Sequence, residues 1–264
     1  VNRTAVDLVA DLGEGFGSYT VGDDEALLEI VTSANIACGF HAGDPRIMHD
    51  TVRRCAELSV AVGAHPSFPD LLGFGRRAMD LTIEEVTTDV LYQIGALSAF
   101  AAYHGCRLRH VAPHGRLGNL VAIRRDYAEA VADAVAGFDS ELIVLAQEGE
   151  LSKAARSRGL RVGIVGIADR AYQPDGTLVP RTMPGAVLHD PGEIADRTVR
   201  MVTEGVLRSF SGEDIPVEAD TILLHGDSHA AVQLAQRIKA ALLGAGVQIK
   251  PLAEILDGES AQIP

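Results

Sequence analysis

The 264 residues suffice for one α/β barrel or two smaller domains, and a formal net charge of −13 argues against nucleic-acid backbones and anionic membranes as partners. The composition is that of an ordinary soluble chain, 47% hydrophobic and 22% charged, and with 5% aromatics and no Trp it offers no stacking platform for bases. Three separated cysteines (Cys38, Cys55, Cys106) form no C-x-x-C pair, which argues against a disulfide framework and a zinc knuckle and leads us to expect a reducing, cytoplasmic setting.

The opening Val-Asn-Arg-Thr runs straight into a strand over residues 5–10, with no apolar signal region, and no apolar run in the chain is long enough to cross a bilayer. The first strand ends in Asp11-Leu12-Gly13-Glu14-Gly15. Residues 24–31 read as helical. The stretch 33–45, Ser-Ala-Asn-Ile-Ala-Cys-Gly-Phe-His-Ala-Gly-Asp-Pro, reads as a buried strand, a tight turn and a helix opening: Asp44 caps free N–H groups and Pro45 fits the first helical position. Asn35 and His41 then fall where the strand gives way to its loop. The helix continues to about Leu58, with Met48, Val52, Cys55 and Ala56 at helical spacing.

A third strand, 60–64, ends in His65-Pro66-Ser67-Phe68-Pro69-Asp70, and a loop with Gly73, Gly75, Arg76 and Arg77 follows. Thr82 with Glu85 is a capping-box signature that opens a helix through Ala101. Strand four, 108–111, ends in Pro113-His114-Gly115. Residues 124–136 are helical with Gly137 as a stop, strand five is 142–145, and a helix over 150–158 leads to strand six, 160–167, followed by Ala168-Asp169-Arg170. An irregular Gly- and Pro-rich insertion spans 168–189; loops this long in compact domains usually carry function. Asp190-Pro191 repeats the cap-plus-proline opening of a helix to about Glu204. Strand seven, 221–224, ends in His225-Gly226-Asp227; a helix ending near Gly244 follows, and 247–249 is an eighth strand or a closing segment.

Seven or eight βα units without a linker predict one domain over 1–264, a deviant (β/α) barrel of mostly parallel strands. An open doubly wound sheet is the alternative. It is disfavoured because polar motifs follow almost every strand, whereas a switch-point site draws on two or three. In a parallel barrel the strand ends share one rim, so Asp11, Glu14, His41, His65, His114, Asp169 and His225 become candidate catalytic residues. Histidine can move a proton or ligate a metal near neutral pH, and the Asp/His mixture also suits a hydrolytic metal site, although no H-E-x-x-H is present. Asn35, Arg76, Arg170, Arg181 and Asp227 are candidate substrate-binding residues, the arginines because guanidinium matches carboxylate or phosphate bidentately. No phosphate-cradling or dinucleotide glycine motif and no G-x-S-x-G elbow occurs; Cys38, at a buried strand end, reads as an inert thiol.

The motifs Asp-Leu-Gly-Glu-Gly (11–15), Ser-Ala-Asn-Ile-Ala-Cys-Gly-Phe-His-Ala-Gly-Asp (33–44), Gly-Ala-His-Pro-Ser-Phe-Pro-Asp (63–70), Phe-Gly-Arg (74–76), Tyr-Gln-Ile-Gly-Ala-Leu (92–97), Pro-His-Gly (113–115), Ala-Asp-Arg (168–170), Leu-Val-Pro-Arg (178–181) and Leu-His-Gly-Asp (224–227) occur in this order, and together resemble the LamB/YcsF family. The resemblance implies a barrel like that of certain carbohydrate deacetylases and glycosidases. It further implies ATP-dependent opening of the 5-oxoproline lactam to L-glutamate with two partner subunits, of B and C type. Alternatives are a metal-dependent hydrolase or deacetylase acting alone, and a divergent paralogue that has lost catalysis. The chain departs from the family pattern at Val9 (usually Asn), Ala112 (Lys), Gly118 (Tyr), and Ile164 and Val165 (a Glu pair). These positions are expected on or beside strand ends, where they bear on activity more than on scaffold.

Overall fold

The structure, a computed structural model, describes residues 3–226 and 230–260. Its strands are β1 (Ala5–Leu12), β2 (Ser33–Ala37), β3 (Ala61–His65), β4 (Leu108–Val111), β5 (Ile143–Ala146), β6 (Arg161–Ile167), β7 (Val206–Arg208), β8 (Asp214–Pro216), β9 (Thr221–Leu224) and β10 (Gln248–Ile249). Its helices are α1 (Asp24–Leu28), α2 (Pro45–Leu58), α3 (Ile83–Tyr103), α4 (Gly115–Val121), α5 (Arg125–Phe138), α6 (Glu150–Ser157), α7 (Pro191–Glu204), α8 (Ala231–Gly244) and α9 (Leu252–Ser260). Among the described residues, β1 to β6 and β9 pair in parallel, and β9 pairs back onto β1 to close a barrel; β10 adds to β1 at Ala5 and Val6. Among the described residues no helix is long and apolar enough to cross a membrane.

The barrel strands are largely buried on both faces, as a parallel sheet wrapped by helices requires, and β2 and β5 are buried at every position. Helix starts are specified locally. The Asp44 carboxylate accepts from the N–H groups of Arg46 and Ile47, Asp190 from Glu193, and Thr82 and Glu85 exchange both bonds of the capping box. Both cap-plus-proline openings therefore form where the sequence places them.

Several elements differ from the sequence reading. Helix α1 ends at Leu28, because Ile30 and Val31 both turn back onto the Leu27 carbonyl before the chain enters β2. Gly137 does not stop α5, which runs through it to Phe138. Helix α4, which carries the poor helix formers Gly115 and Gly118, the antiparallel pair β7–β8 and α9 carry too weak a pattern to be read in advance. Strand β1 reaches Leu12 because its second half pairs with β2, so Asp11 lies within the strand; Asn35 likewise lies mid-strand in β2. The departures at Val9, Ile164 and Val165 sit in the interiors of β1 and β6, and Gly118 sits in α4, so these four do not mark strand ends as expected.

The lower barrel holds a buried carboxylate. Asp7 accepts from the hydroxyls of Thr32 (2.7 Å), Ser33 (2.7 Å) and Thr221 (2.6 Å). Burial pushes its pKa up to about 6 despite those hydroxyls. Between about pH 4 and pH 6 the folded protein therefore binds a proton that the unfolded chain has lost, and stability falls as pH rises through that window. Across those roughly two pH units the loss comes to about 3 kcal/mol. Urea unfolding of wild type and Asp7→Asn should show a stability difference that moves in the variant's favour by about 2–3 kcal/mol from about pH 4 to about pH 7. A pH-independent difference would mean that Asp7 titrates normally.

Candidate functional site

One layer of the barrel is set by strand register. Asp11 on β1 pairs with Asn35 on β2, Asn35 with Gly63 on β3, and Gly63 with His110 on β4. The inward positions form a buried polar chain: Asn35 donates to Asp11 Oδ1 (2.9 Å), and His110 Nε2 bonds Asn35 Oδ1 (2.8 Å). Gly63 makes this possible, since a Cβ there would lie 2.0 Å from His110 Nε2. Because Asn35 Oδ1 is an acceptor, His110 donates from Nε2. Burial holds its pKa down at about 3, so it acts as a neutral donor.

Above this layer the loops after β1, β2, β3 and β4 meet. Gly43 takes a left-handed conformation (φ +80°) with its Cα against the Ala37 and Gly13 carbonyls, and its N–H donates to Gly15; this ties the β1 and β2 loops together and places Glu14 beside His41. His41 Nε2 lies 3.3 Å from Glu14 Oε1, and His114 Nδ1 lies 3.5 Å from the same oxygen. His65 Nε2 lies 3.3 Å from Asp11 Oδ1 and 2.9 Å from His114 Nδ1. All five residues are at most 5% exposed. The segment after β3 covers them. Phe74, at an unusual φ of +53°, sets its ring edge-on to His41 and His114, and its carbonyl accepts from His114 Nε2 (2.9 Å). The Asp70 carboxylate pins this segment through the Gly73 N–H and the Arg77 guanidinium, and Arg76 lies over the Phe74 ring.

The electrostatics follow from burial. Burial lowers His41 well below its usual pKa, helped by the charges of His65 and Arg76; burial likewise lowers His114, helped by His41 and His65 and opposed by Asp11. Burial alone would raise Asp11, but His65, with His225 and His114, outweighs it and holds the carboxyl well below the usual carboxylate range.

A second group comes from β6, β9 and the long insertion. His225 Nδ1 lies 2.8 and 2.9 Å from the two Asp169 oxygens, and Arg181 Nη2 lies 3.0 Å from His225 Nε2. A carboxylate accepts and a guanidinium donates, so Nδ1 carries the proton and Nε2 presents its lone pair. Burial would raise Asp169, but its bond with His225 outweighs that and keeps it ionised. This is the arrangement of a carboxylate-oriented histidine base.

The structure thus gathers Asp11, Asn35, Glu14, His41, His65 and His114 into one buried cluster and Asp169, His225 and Arg181 into a neighbouring one. Arg170 is employed differently from the expected clamp: it is 4% exposed, and its Nε and Nη2 donate to the Ala186 and Val179 carbonyls, bracing the insertion. Arg76 is exposed on the segment after β3. Asp227 lies outside the described residues. Cys38 donates to the Ile36 carbonyl and burial pushes its thiol up to about 12, so it holds no thiolate at neutral pH. The sequence reading missed His110 and Gly63; the available signal was a histidine on the inward face of a short strand, in register with a glycine.

The LamB/YcsF family model matches residues 6–257. The 5-oxoprolinase A subunit of Pyrococcus furiosus is 49% identical over 252 residues, covering 95% of this chain and 99% of that protein. A 5-oxoprolinase A subunit of Pseudomonas syringae pv. tomato is 48% identical over 250 residues, covering 94% of this chain and 98% of that protein. The crystal structure of the lactam utilization protein from Thermus thermophilus is 45% identical and superposes with a TM-score of 0.89, covering 94% of this chain and 99% of that one. The peptidoglycan deacetylase PdaC of Bacillus subtilis, as its D285S mutant, is 14% identical with a TM-score of 0.50, covering 99% of this chain and 95% of that one; it shares the barrel fold alone.

Proposed function

We propose that this chain, which belongs to the LamB/YcsF family, is the A-type subunit of an ATP-dependent 5-oxoprolinase that opens the 5-oxoproline lactam to L-glutamate with partner subunits of B and C type. The names of its full-length relatives support a lactam-related hydrolase role and a place in a multi-subunit assembly. The observation that carries the reading to these residues is the Asp169–His225–Arg181 arrangement, which offers a base and a cation side by side.

A 5-oxoproline molecule has a carboxylate and a cyclic amide. Arg181 is suited to the carboxylate, with Arg76 on the facing segment as a second cation. Drawing Arg181 onto a substrate carboxylate removes the donor from His225 Nε2 and leaves that lone pair for the proton of an attacking water. Asp169 keeps the ring in the required tautomer and offsets the positive charge that forms on it. Asp11, Glu14 and the buried His41–His65–His114 group set the potential beside the substrate, and proton transfer rests on His225. ATP belongs to the assembled complex as a co-substrate, since the sequence carries no phosphate-cradling glycine loop. A cytoplasmic setting suits these substrates.

The test is to co-purify the chain with its B- and C-type partners and follow glutamate and ADP with 5-oxoproline and ATP. Both products are expected from the complex, and the isolated chain should turn over no ATP. Substrate-dependent ATP turnover by the single chain would overturn the division of labour. Lactam opening by the single chain without ATP would favour a self-contained hydrolase.

A further inference from the structure

The proton inventory of the buried cluster leaves a position that hydrogen bonding does not fill. His65 Nδ1 lies 2.6 Å from the Ala112 carbonyl and His114 Nε2 lies 2.9 Å from the Phe74 carbonyl. Carbonyls only accept, so both of these nitrogens carry protons. The other nitrogens, His65 Nε2 and His114 Nδ1, face each other at 2.9 Å, and each is the one position of its ring left for a proton or a cation. Two carboxylate oxygens crowd the same pair: Glu14 Oε1 is 3.5 Å from His114 Nδ1, and Asp11 Oδ1 is 3.3 Å from His65 Nε2. A metal cation placed among these atoms would be met by two ring nitrogens and a carboxylate oxygen together.

We propose that His65 Nε2, His114 Nδ1 and a Glu14 carboxylate oxygen form the binding site for one divalent transition-metal ion of zinc type. Donor atoms of Glu14, His41, His65 and His114 all lie within 4.8 Å of one another. Ligand atoms of a tetrahedral site with bonds of about 2.0–2.1 Å stand roughly 3.3 Å apart, so separations of 2.9 and 3.5 Å need small adjustments only. The backbone carbonyls on the far nitrogens are the outer partners that ligating histidines characteristically have, and they already fix both tautomers. Two imidazoles and a carboxylate select zinc-type ions over Mg²⁺ or Ca²⁺, and three protein ligands leave a fourth position open.

His41 has a different part. Its ring stacks face to face on His114, with centroids 3.8 Å apart and planes 5° from parallel, so its nitrogens lie in a plane parallel to that of the His114 ring. Its Nε2 meets Glu14, while its Nδ1 is buried without a hydrogen-bond partner among the described residues. His41 is therefore a positioning residue for the Glu14 ligand. The proposal is independent of the substrate reading, because it is read by binding to the chain alone.

The experiment titrates the chelator-treated full chain with Zn²⁺ by calorimetry and with Co²⁺ by visible absorption. One ion per chain is expected, with the ligand-field bands of a low-coordinate Co²⁺ site. His65→Ala and His114→Ala should lower affinity by roughly 100-fold or more, and His41→Ala by about 10- to 100-fold, the range for an outer partner. Glu14→Gln, nearly isosteric, serves where an alanine variant fails to fold by circular dichroism, and should also bind at least about 10-fold more weakly. His225→Ala should bind as wild type does. No stoichiometric binding at micromolar ion, or affinity unchanged in the ligand variants, would overturn the proposal. Inactivity of the reconstituted complex towards 5-oxoproline would not, since that result bears on the substrate alone.

Discussion

Replacing His225 with alanine is expected to lower 5-oxoproline-dependent glutamate formation by the reconstituted complex by roughly 10²- to 10⁴-fold, the range for loss of a general acid–base. The melting midpoint should move little. The His225 side chain is 15% exposed and its polar neighbours Asp169 and Arg181 can pair with each other once it is gone, so the stability change belongs with ordinary surface-proximal substitutions. Asp169→Asn probes the same proton from the other side. An amide can donate to Nδ1 and so favour the tautomer that places the proton on Nε2, where it blocks the base. Activity should fall by a comparable factor while substrate affinity, which the proposed function assigns to the arginines, is retained. A His225→Ala complex with near-normal turnover would move the base elsewhere; one that melts far below wild type would make the residue structural.

The largest effect on stability is expected from Gly63→Ala. An added Cβ would stand 2.0–2.4 Å from three atoms of the His110 ring. The ring cannot retreat cheaply, because it is 1% exposed and tied to Asn35 and through it to Asp11. Overpacking costs about 1–3 kcal/mol and a buried unpaired polar group about 1–3 more, so the sum is about 2–6 kcal/mol. Denaturant unfolding, with soluble yield as a first readout, measures it. Gly137→Ala is the internal contrast. It is exposed in the last turn of α5 with nothing within 4 Å of an added Cβ, and it should raise stability by about 0.5–1 kcal/mol. Equal midpoints for the two variants would refute the account of Gly63.

The barrel was legible because strands buried on both faces read as short apolar runs, and because Asp44-Pro45, Thr82/Glu85 and Asp190-Pro191 punctuate them with unambiguous helix openings. The polar strand ends were legible for a related reason: glycine and proline around His41, His65, His114 and His225 mark turns, and parallel strands bring such turns to one end. What local pattern could not carry was register. His110 looks like a packed residue in a four-residue strand until pairing sets it beside Gly63 and within reach of Asn35. Arg170 looks like a free cation until the folded insertion surrounds its guanidinium with carbonyl oxygens. The β7–β8 pair escaped because two three-residue strands give no measurable alternation.

The pairing of β9 with β1 has a consequence for how the molecule is made. Asp7 and Thr221 are 214 positions apart, yet they share a hydrogen bond and a register position. On the ribosome β1 emerges first and its partner arrives only after most of the chain has been synthesised. At about 5–20 residues per second that leaves β1 with one unpaired edge for roughly 10–40 seconds. An open edge of apolar strand is a template for pairing with other chains. Asp7 sits in that edge. Until Thr221 arrives its carboxylate lacks one of its three hydroxyl partners, which keeps a charge on a strand otherwise prone to associate. The residue that is a burden in the finished barrel is thus a solubilising one in the growing chain.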